Sequence, residues 1–332
     1  MDRAPLVAAR HVLAIGRSSV KMPLMIAPAA LALASPTPPD LPARSDQAAQ
    51  RGAAEAPARI DAAQLGRPAF EERFRTLDAG SGEQPGTAPR RWRTVFGYGG
   101  PTSRDNRSSS EGAVYVDPAF PGVENGKLGT HPLGLDPFST GAGGLTITAR
   151  RVPAALRPKL FGREWMSGLL TSRNSFAMPW GYWEMEADLP LCEKGAWSGF
   201  WLLPREGKWP DNGEVDFPET IGDGTLYFST HFKGNAAGGL SGGRTQEHHP
   251  ASGCTRGLHR YGVRITPRTV AFYYDRAKVA EQPTPDGFGK PMFLLMNLAM
   301  RGPWADSKGL PSPKTGAIRM RVAAVRAWPI VP

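Results

Sequence analysis

The chain has 332 residues, 40% of them hydrophobic and 21% charged, so most of it can bury a core and it is not a solvated polymer throughout. Its formal charge of +10 attracts anions, but the basic residues are scattered, the densest groups being Arg90, Arg91 and Arg93 and the pair Arg150 and Arg151. With no basic helix, zinc-finger spacing or aromatic RNA-binding signature, nucleic acid is not expected as a partner.

In chain order, residues 23–34 (PLMIAPAALALA) come first as an apolar run free of charge, preceded by Arg10, Arg17 and Lys21 and ending in small residues. The run fits the core of an export signal and is too short for a membrane span, which needs about 20 residues. We therefore expect residues 1–34 to be a signal peptide or N-terminal extension, the protein to be secreted or periplasmic, and no stable membrane insertion. Residues 35–67 are dominated by Ala, Pro, Arg, Asp and Gln. They hold too little apolar surface to offset their ordering entropy and read as a disordered linker, with a short helix near 60–65.

From residue 68 to 332 aromatic residues recur and short apolar runs alternate with turns. With 39 Gly and 33 Pro, turns are frequent enough to favour an all-β architecture. Period-two alternation marks strands at 145–149 (LTITA), 181–189 (GYWEMEADL) and 261–265 (YGVRI), and 270–274 (VAFYY) is rich in strand formers. The nearly unbroken apolar run 292–299 (MFLLMNLA) predicts a strand covered on both faces, and 318–328 (IRMRVAAVRAW) closes the chain with another. Many antiparallel strands in one domain predict a jelly-roll β-sandwich of two stacked sheets. Cys192 and Cys254 either pair in an oxidising compartment or stay as small buried hydrophobes.

The most informative stretch is 213–220 (GEVDFPET). On a strand Glu214 and Asp216 share one face while Val215 and Phe217 point into a core. Glu219 would fall on the core face unless an extra residue, a β-bulge, precedes it. Pro218 suits that place, because it cannot donate a ladder hydrogen bond. Counting the bulge as no advance, the two glutamates stand roughly 13 Å apart at Cα, so their side chains must lean together. Three carboxylates on one face raise one another's pKa and repel. Such a set makes sense where two carboxyls must hold different protonation states, as in retaining glycosidases, whose pair stands about 5–5.5 Å apart. The alternative reading is an exposed acidic strand edge.

The stretch 197–204 (WSGFWLLP), then Trp209 and Pro210, then 213–219 resembles glycoside hydrolase family 16, whose motif Glu-x-Asp-x-x-Glu is matched in its bulged form. The resemblance runs in order through residues 70–78, Trp92, 115–117, 144–147, 168–172, 180–184, 291–299 and Trp304. It implies a concave cleft, with Glu214 as nucleophile, Asp216 as its assistant and Glu219 as general acid/base. It further implies Trp201 and Trp180 as sugar platforms, Glu184 and Glu111 as cleft-lining residues, and Asn297 and Trp304 on the late strand and its loop. His231, one hairpin after the carboxylates, either faces the cleft or is a satisfied structural histidine. Glu186 and Asp188 stand where the family often has basic residues, which implies a more acidic cleft.

The expected function is that of an endo-acting retaining hydrolase, a monomer cutting a β-1,3- or β-1,3/1,4-glucan or a bacterial exopolysaccharide. A transglycosylase using the same intermediate and a non-catalytic carbohydrate-binding protein are the alternatives. No cofactor is expected. Some relatives carry a structural calcium, which this sequence does not call for. His248, His249, Cys254 and His259 do not match a common zinc pattern. Trp183 and Trp328 are expected in the core.

Overall fold

Alternating apolar residues along a strand must be buried against a second layer, and here two layers face each other. The computed structural model describes residues 58–81, 90–96, 104, 110–233, 243–251, 253, 254 and 256–330. Residues 1–34, expected as a signal peptide or N-terminal extension, and residues 35–57 of the expected linker lie outside the described residues. The principal strands are β1 (Gly144–Arg151), β2 (Leu169–Thr171), β3 (Gly181–Asp188), β4 (Ala196–Pro204), β5 (Glu214–Thr220), β6 (Thr225–Phe232), β7 (Gly243–Pro250), β8 (His259–Ile265), β9 (Thr269–Tyr274), β10 (Ala277–Pro283), β11 (Met292–Met300) and β12 (Ala317–Pro329). An eight-stranded inner sheet runs β7-β6-β5-β4-β11-β2 and continues through two short pairs of residues. A ten-stranded outer sheet contains β10-β9-β8-β3-β12-β1. The expected all-β sandwich is what the chain forms. Among the described residues the one α-helix, α1 (Pro303–Asp306), is a single turn.

The main core lies between the sheets. Phe200, Leu202, Val215, Phe217, Leu294 and Met296 of the inner sheet meet Ile147, Trp183, Met185, Val263, Phe272 and Met320 of the outer one. Each fully buried side chain of this size contributes about 1.5–3 kcal/mol. All nine residues of β11 are buried, because its second face lies under a smaller cluster that includes Trp201, Leu203 and Phe293. Trp328 is also buried, but on the far face of the outer sheet, against Tyr182 and Tyr273. Cys192 and Cys254 form a disulfide, which settles the alternative that the sequence left open.

Two expectations are corrected on the outer sheet. Residues 58–67 are not free linker. The Lys278 amide donates to the Ala58 carbonyl, Ile60 and Leu65 pack on the Tyr182–Trp328 cluster, and the Trp328 indole donates to the Gly66 carbonyl. The short helix expected there is a 3₁₀ turn, Ala62–Gln64, capped by Asp61. Second, Glu184 does not line a cleft. It lies on β3 in the outer sheet and is wholly buried, where Arg276 grips its carboxylate with Nε at 2.7 Å and Nη2 at 2.9 Å. Glu186 pairs with Arg260 and Arg326, and Asp188 with Arg256, so these acids belong to the outer sheet's ionic network. The sequence pattern fixes which residues share a face of β3, but not which of the two sheets β3 joins.

Removing the cation should expose the cost of burying Glu184. Arg276→Met is expected to lower unfolding free energy by about 2–4 kcal/mol, since Arg326 stays near the carboxylate. Urea denaturation of this variant and of the double variant with Glu184→Gln checks it, with the double variant recovering much of the loss.

Candidate active site

The exposed face of the inner sheet carries a groove of about 850 Å³. Its floor follows from the pleat. On β5, Val215 and Phe217 enter the core, so Glu214 and Asp216 face the groove. The register then slips. Asp216 pairs with Ser229 and Trp201, whereas Glu219 pairs with Tyr227 and Gly199, so three steps along β5 match two on each neighbour. The bulge anticipated at Pro218 is therefore present, and it returns Glu219 to the groove face. Gly199 sits opposite Glu219, and a methyl group there would come within 3.3 Å of Asn297 Oδ1 and 3.5 Å of the Trp201 ring. The missing side chain keeps the floor open beside the acid.

Each carboxylate has its own surroundings. Glu219 Oε1 accepts a 2.9 Å hydrogen bond from the Trp197 indole. His231 Nε2 lies 3.2 Å from Asp216 Oδ2 and 3.8 Å from Glu214 Oε1. Of the alternatives open for His231, the structure takes the one that faces the groove. The Trp209 indole lies near the Glu214 carboxylate and favours its ionised form. Burial pushes the Glu214 carboxyl well above the ordinary carboxylate value of 4.5, and the nearby Asp216 charge and, less strongly, Glu219 push the same way. His231 and the Trp209 indole oppose them. Glu214, Asp216 and His231 also offer ligand atoms within 4.8 Å of one another, so this trio is where a cation would be held.

Of the remaining residues named from sequence, Glu111, Trp201, Asn297 and Trp304 line the groove. They form connected supports. The Trp201 indole donates to Asn297 Oδ1 at 2.8 Å, Asn297 Nδ2 donates to the Tyr115 hydroxyl at 2.8 Å, and that hydroxyl donates to Glu111. Trp304, on α1, packs edge-on against Trp197 and Tyr227. Trp180 is not in the groove. It packs at the margin of the core, and its ring closes over Gly289. Trp201 is only 8% exposed, so it offers little ring surface, whereas Trp209 at the rim is 55% exposed. Trp197 and Trp209 are the functional positions that sequence reasoning missed. Trp197 had a legible signal, since it shares a strand face with Gly199 and Trp201. Trp209 lies in a loop without periodicity.

The Glu214 environment has a consequence for stability. The folded chain holds the Glu214 proton more tightly than the unfolded chain does. Its contribution to stability is therefore most favourable below the ordinary value of 4.5, and it is lost as pH rises from there through the elevated folded value. Glu214→Gln removes this loss. The variant should melt at a higher temperature than wild type at neutral pH, with the gain shrinking as pH falls toward 4.5. Scanning calorimetry across that range checks it.

Comparison with known proteins agrees with the geometry. Residues 136–318 match the model for glycosyl hydrolases family 16. The endo-1,3-1,4-beta-glycanase EglC of Rhizobium meliloti is 33% identical over 78% of this chain and 51% of its own length. The endo-1,3-1,4-beta-glycanase ExsH of the same organism is 32% identical over 70% of this chain and 46% of its own. The chain thus spans about half the length of these relatives. The X-ray structure of the laminarinase from Rhodothermus marinus superposes with a TM-score of 0.59 at 24% identity, over 80% of this chain and 98% of that one, which shows a shared fold. On the family match, with the bulged carboxylate strand at the centre of the groove, the chain belongs to glycosyl hydrolase family 16.

Proposed function

We propose that this protein is an endo-acting retaining hydrolase of a β-linked polysaccharide, either a β-1,3- or β-1,3/1,4-glucan or a bacterial exopolysaccharide. The observation that carries this reading is the bulged strand, which sets Glu214 and Glu219 on one groove face with Asp216 between them. The names of the two Rhizobium relatives point to the same substrate class.

In this reading Glu214 attacks the anomeric carbon while Glu219 delivers its proton to the departing glycosidic oxygen. A covalent glycosyl ester on Glu214 results. Glu219, now a carboxylate, then takes a proton from water, whose oxygen attacks the same carbon and releases Glu214. The surroundings suit these roles. The Trp197 indole donates to one oxygen of Glu219 and so orients its carboxyl in the groove. Burial and the Asp216 charge hold the Glu214 carboxyl above its ordinary range, and His231 and the Trp209 indole act against that rise, toward the ionised form that attack requires. Asp216, between the glutamates and beside His231, holds the electrostatic balance of the pair. The Cys192–Cys254 disulfide supports a secreted or periplasmic location, where thiols oxidise.

The test is reducing-end release from mixed-linkage β-glucan, laminarin and bacterial exopolysaccharides, with the first-formed anomer followed by NMR. Retention of configuration is expected, and an inverted product would sink the double-displacement reading. Glu219→Gln should lower kcat roughly 10²–10⁴-fold on a polysaccharide. It should lose far less on an aryl glycoside whose leaving group needs no proton. Glu214→Gln should lose activity on both.

A further inference from the structure

The groove is not uniform in charge. Its centre holds four carboxylates, Glu111, Glu214, Asp216 and Glu219, while Arg173, Arg205 and Lys208 line one end. The position of that end follows from the register. Leu202 pairs with Val215 and Leu203 with Phe293, so Glu214, Leu203 and Phe293 form a row across three strands, and Arg173 lies just past the end of the next strand, β2. Three strand spacings put Arg173 roughly 14 Å from the Glu214 backbone, across the strands.

These cations are held in place without being neutralised. Arg173 Nη2 donates to the Arg205 carbonyl at 3.0 Å, and Arg205 Nε donates to the Arg173 carbonyl at 2.9 Å. The Arg173 guanidinium also lies 5.0 Å from the centre of the Phe293 ring. Neither arginine, nor Lys208, makes an ion pair with a carboxylate among the described residues. Elsewhere the same chain does pair its cations. Arg276 holds Glu184, Arg256 holds Asp188, Arg301 holds Asp306 and Lys308 holds Asp223. Glu206 lies between Arg205 and Lys208 in sequence but is not part of the groove lining. Two guanidiniums fixed by reciprocal backbone contacts leave donors facing an open groove, as recognition of a carboxylate or sulfate requires.

From this segregation of charge we propose that the Arg173–Arg205–Lys208 end is a subsite for an anionic substituent on the polysaccharide. The substituent is a carboxylate or a sulfate ester, set several sugar units from the bond that is cut. A neutral glucan uses such donors only for hydrogen bonds to its hydroxyls, whereas an anionic substituent also uses their charge. An acidic polymer is repelled by the carboxylates at the centre and attracted at this end, so the cluster sets which sugar in the repeat occupies the cleavage position. This inference rests on the groove being a glycan site, as proposed above.

The test is binding, which keeps it separate from hydrolysis. Glu214→Gln protein is titrated calorimetrically with a mixed-linkage glucan oligosaccharide and with its carboxymethyl and sulfate derivatives. The same titrations are made with protein also carrying Arg173→Gln and Arg205→Gln, its folding verified by thermal unfolding. A carboxymethyl or sulfate derivative should bind roughly tenfold tighter than the neutral parent, with the preference shrinking as salt is raised. The arginine substitutions should abolish that preference. A response to only one derivative identifies the anion. Equal affinity for neutral and anionic ligands, or a preference that survives both substitutions, overturns the subsite. A protein that cleaves none of the tested polymers but keeps the arginine-dependent anion preference would retain the subsite and lose the hydrolase reading.

Discussion

A single extra residue between Asp216 and Glu219 governs the geometry on which the site depends. Without it, the pleat that buries Val215 and Phe217 would turn Glu219 toward the core as well, placing an acid among apolar side chains. With it, one strand supplies core residues from one face and three carboxylates from the other. After the slip Glu219 stands opposite Gly199 on β4 and Tyr227 on β6. Core packing and site geometry are therefore set by the same short sequence.

The two sheets treat charge in opposite ways. On the outer sheet Glu184, Glu186 and Asp188 are matched by Arg276, Arg260, Arg326 and Arg256, so that buried and half-buried acids serve structure. On the inner sheet acids are set beside acids. The burial that elevates Glu214 costs stability at neutral pH, a cost common where a fold keeps a reactive group ready. The outer network and the disulfide lie away from the groove, and they stabilise the sandwich without fixing the protonation of the groove carboxylates.

Much of this was legible in the sequence because period-two alternation carries two facts at once, which residues are buried and which share a face. The bulge at Pro218 and the grouping of Glu214, Asp216 and Glu219 follow from that rule, and the strand at 292–299 from its nearly unbroken apolar run. Alternation does not report which sheet a strand enters, and so it offers no check on the resemblance that implied Glu184 in the cleft, where the residue in fact lies on the opposite layer. Nor does it reach residues brought together from separate loops. Arg173 and Arg205 are 32 positions apart, and the two cysteines 62, and only the closed fold shows that each pair meets. Residues 58–67 have a composition too polar to form a core alone, yet Ile60 and Leu65 suffice to fasten them to an aromatic patch already made by others.

An indole stands beside each outer member of the carboxylate trio, Trp197 donating to Glu219 and Trp209 lying near Glu214. Indole emission responds to a charge held at its N–H. The site thus carries its own optical reporters, one half-buried and one at the rim. Loss of charge on either glutamate, or a sugar ring settling over the exposed indole, registers as a change in intrinsic fluorescence without any added label.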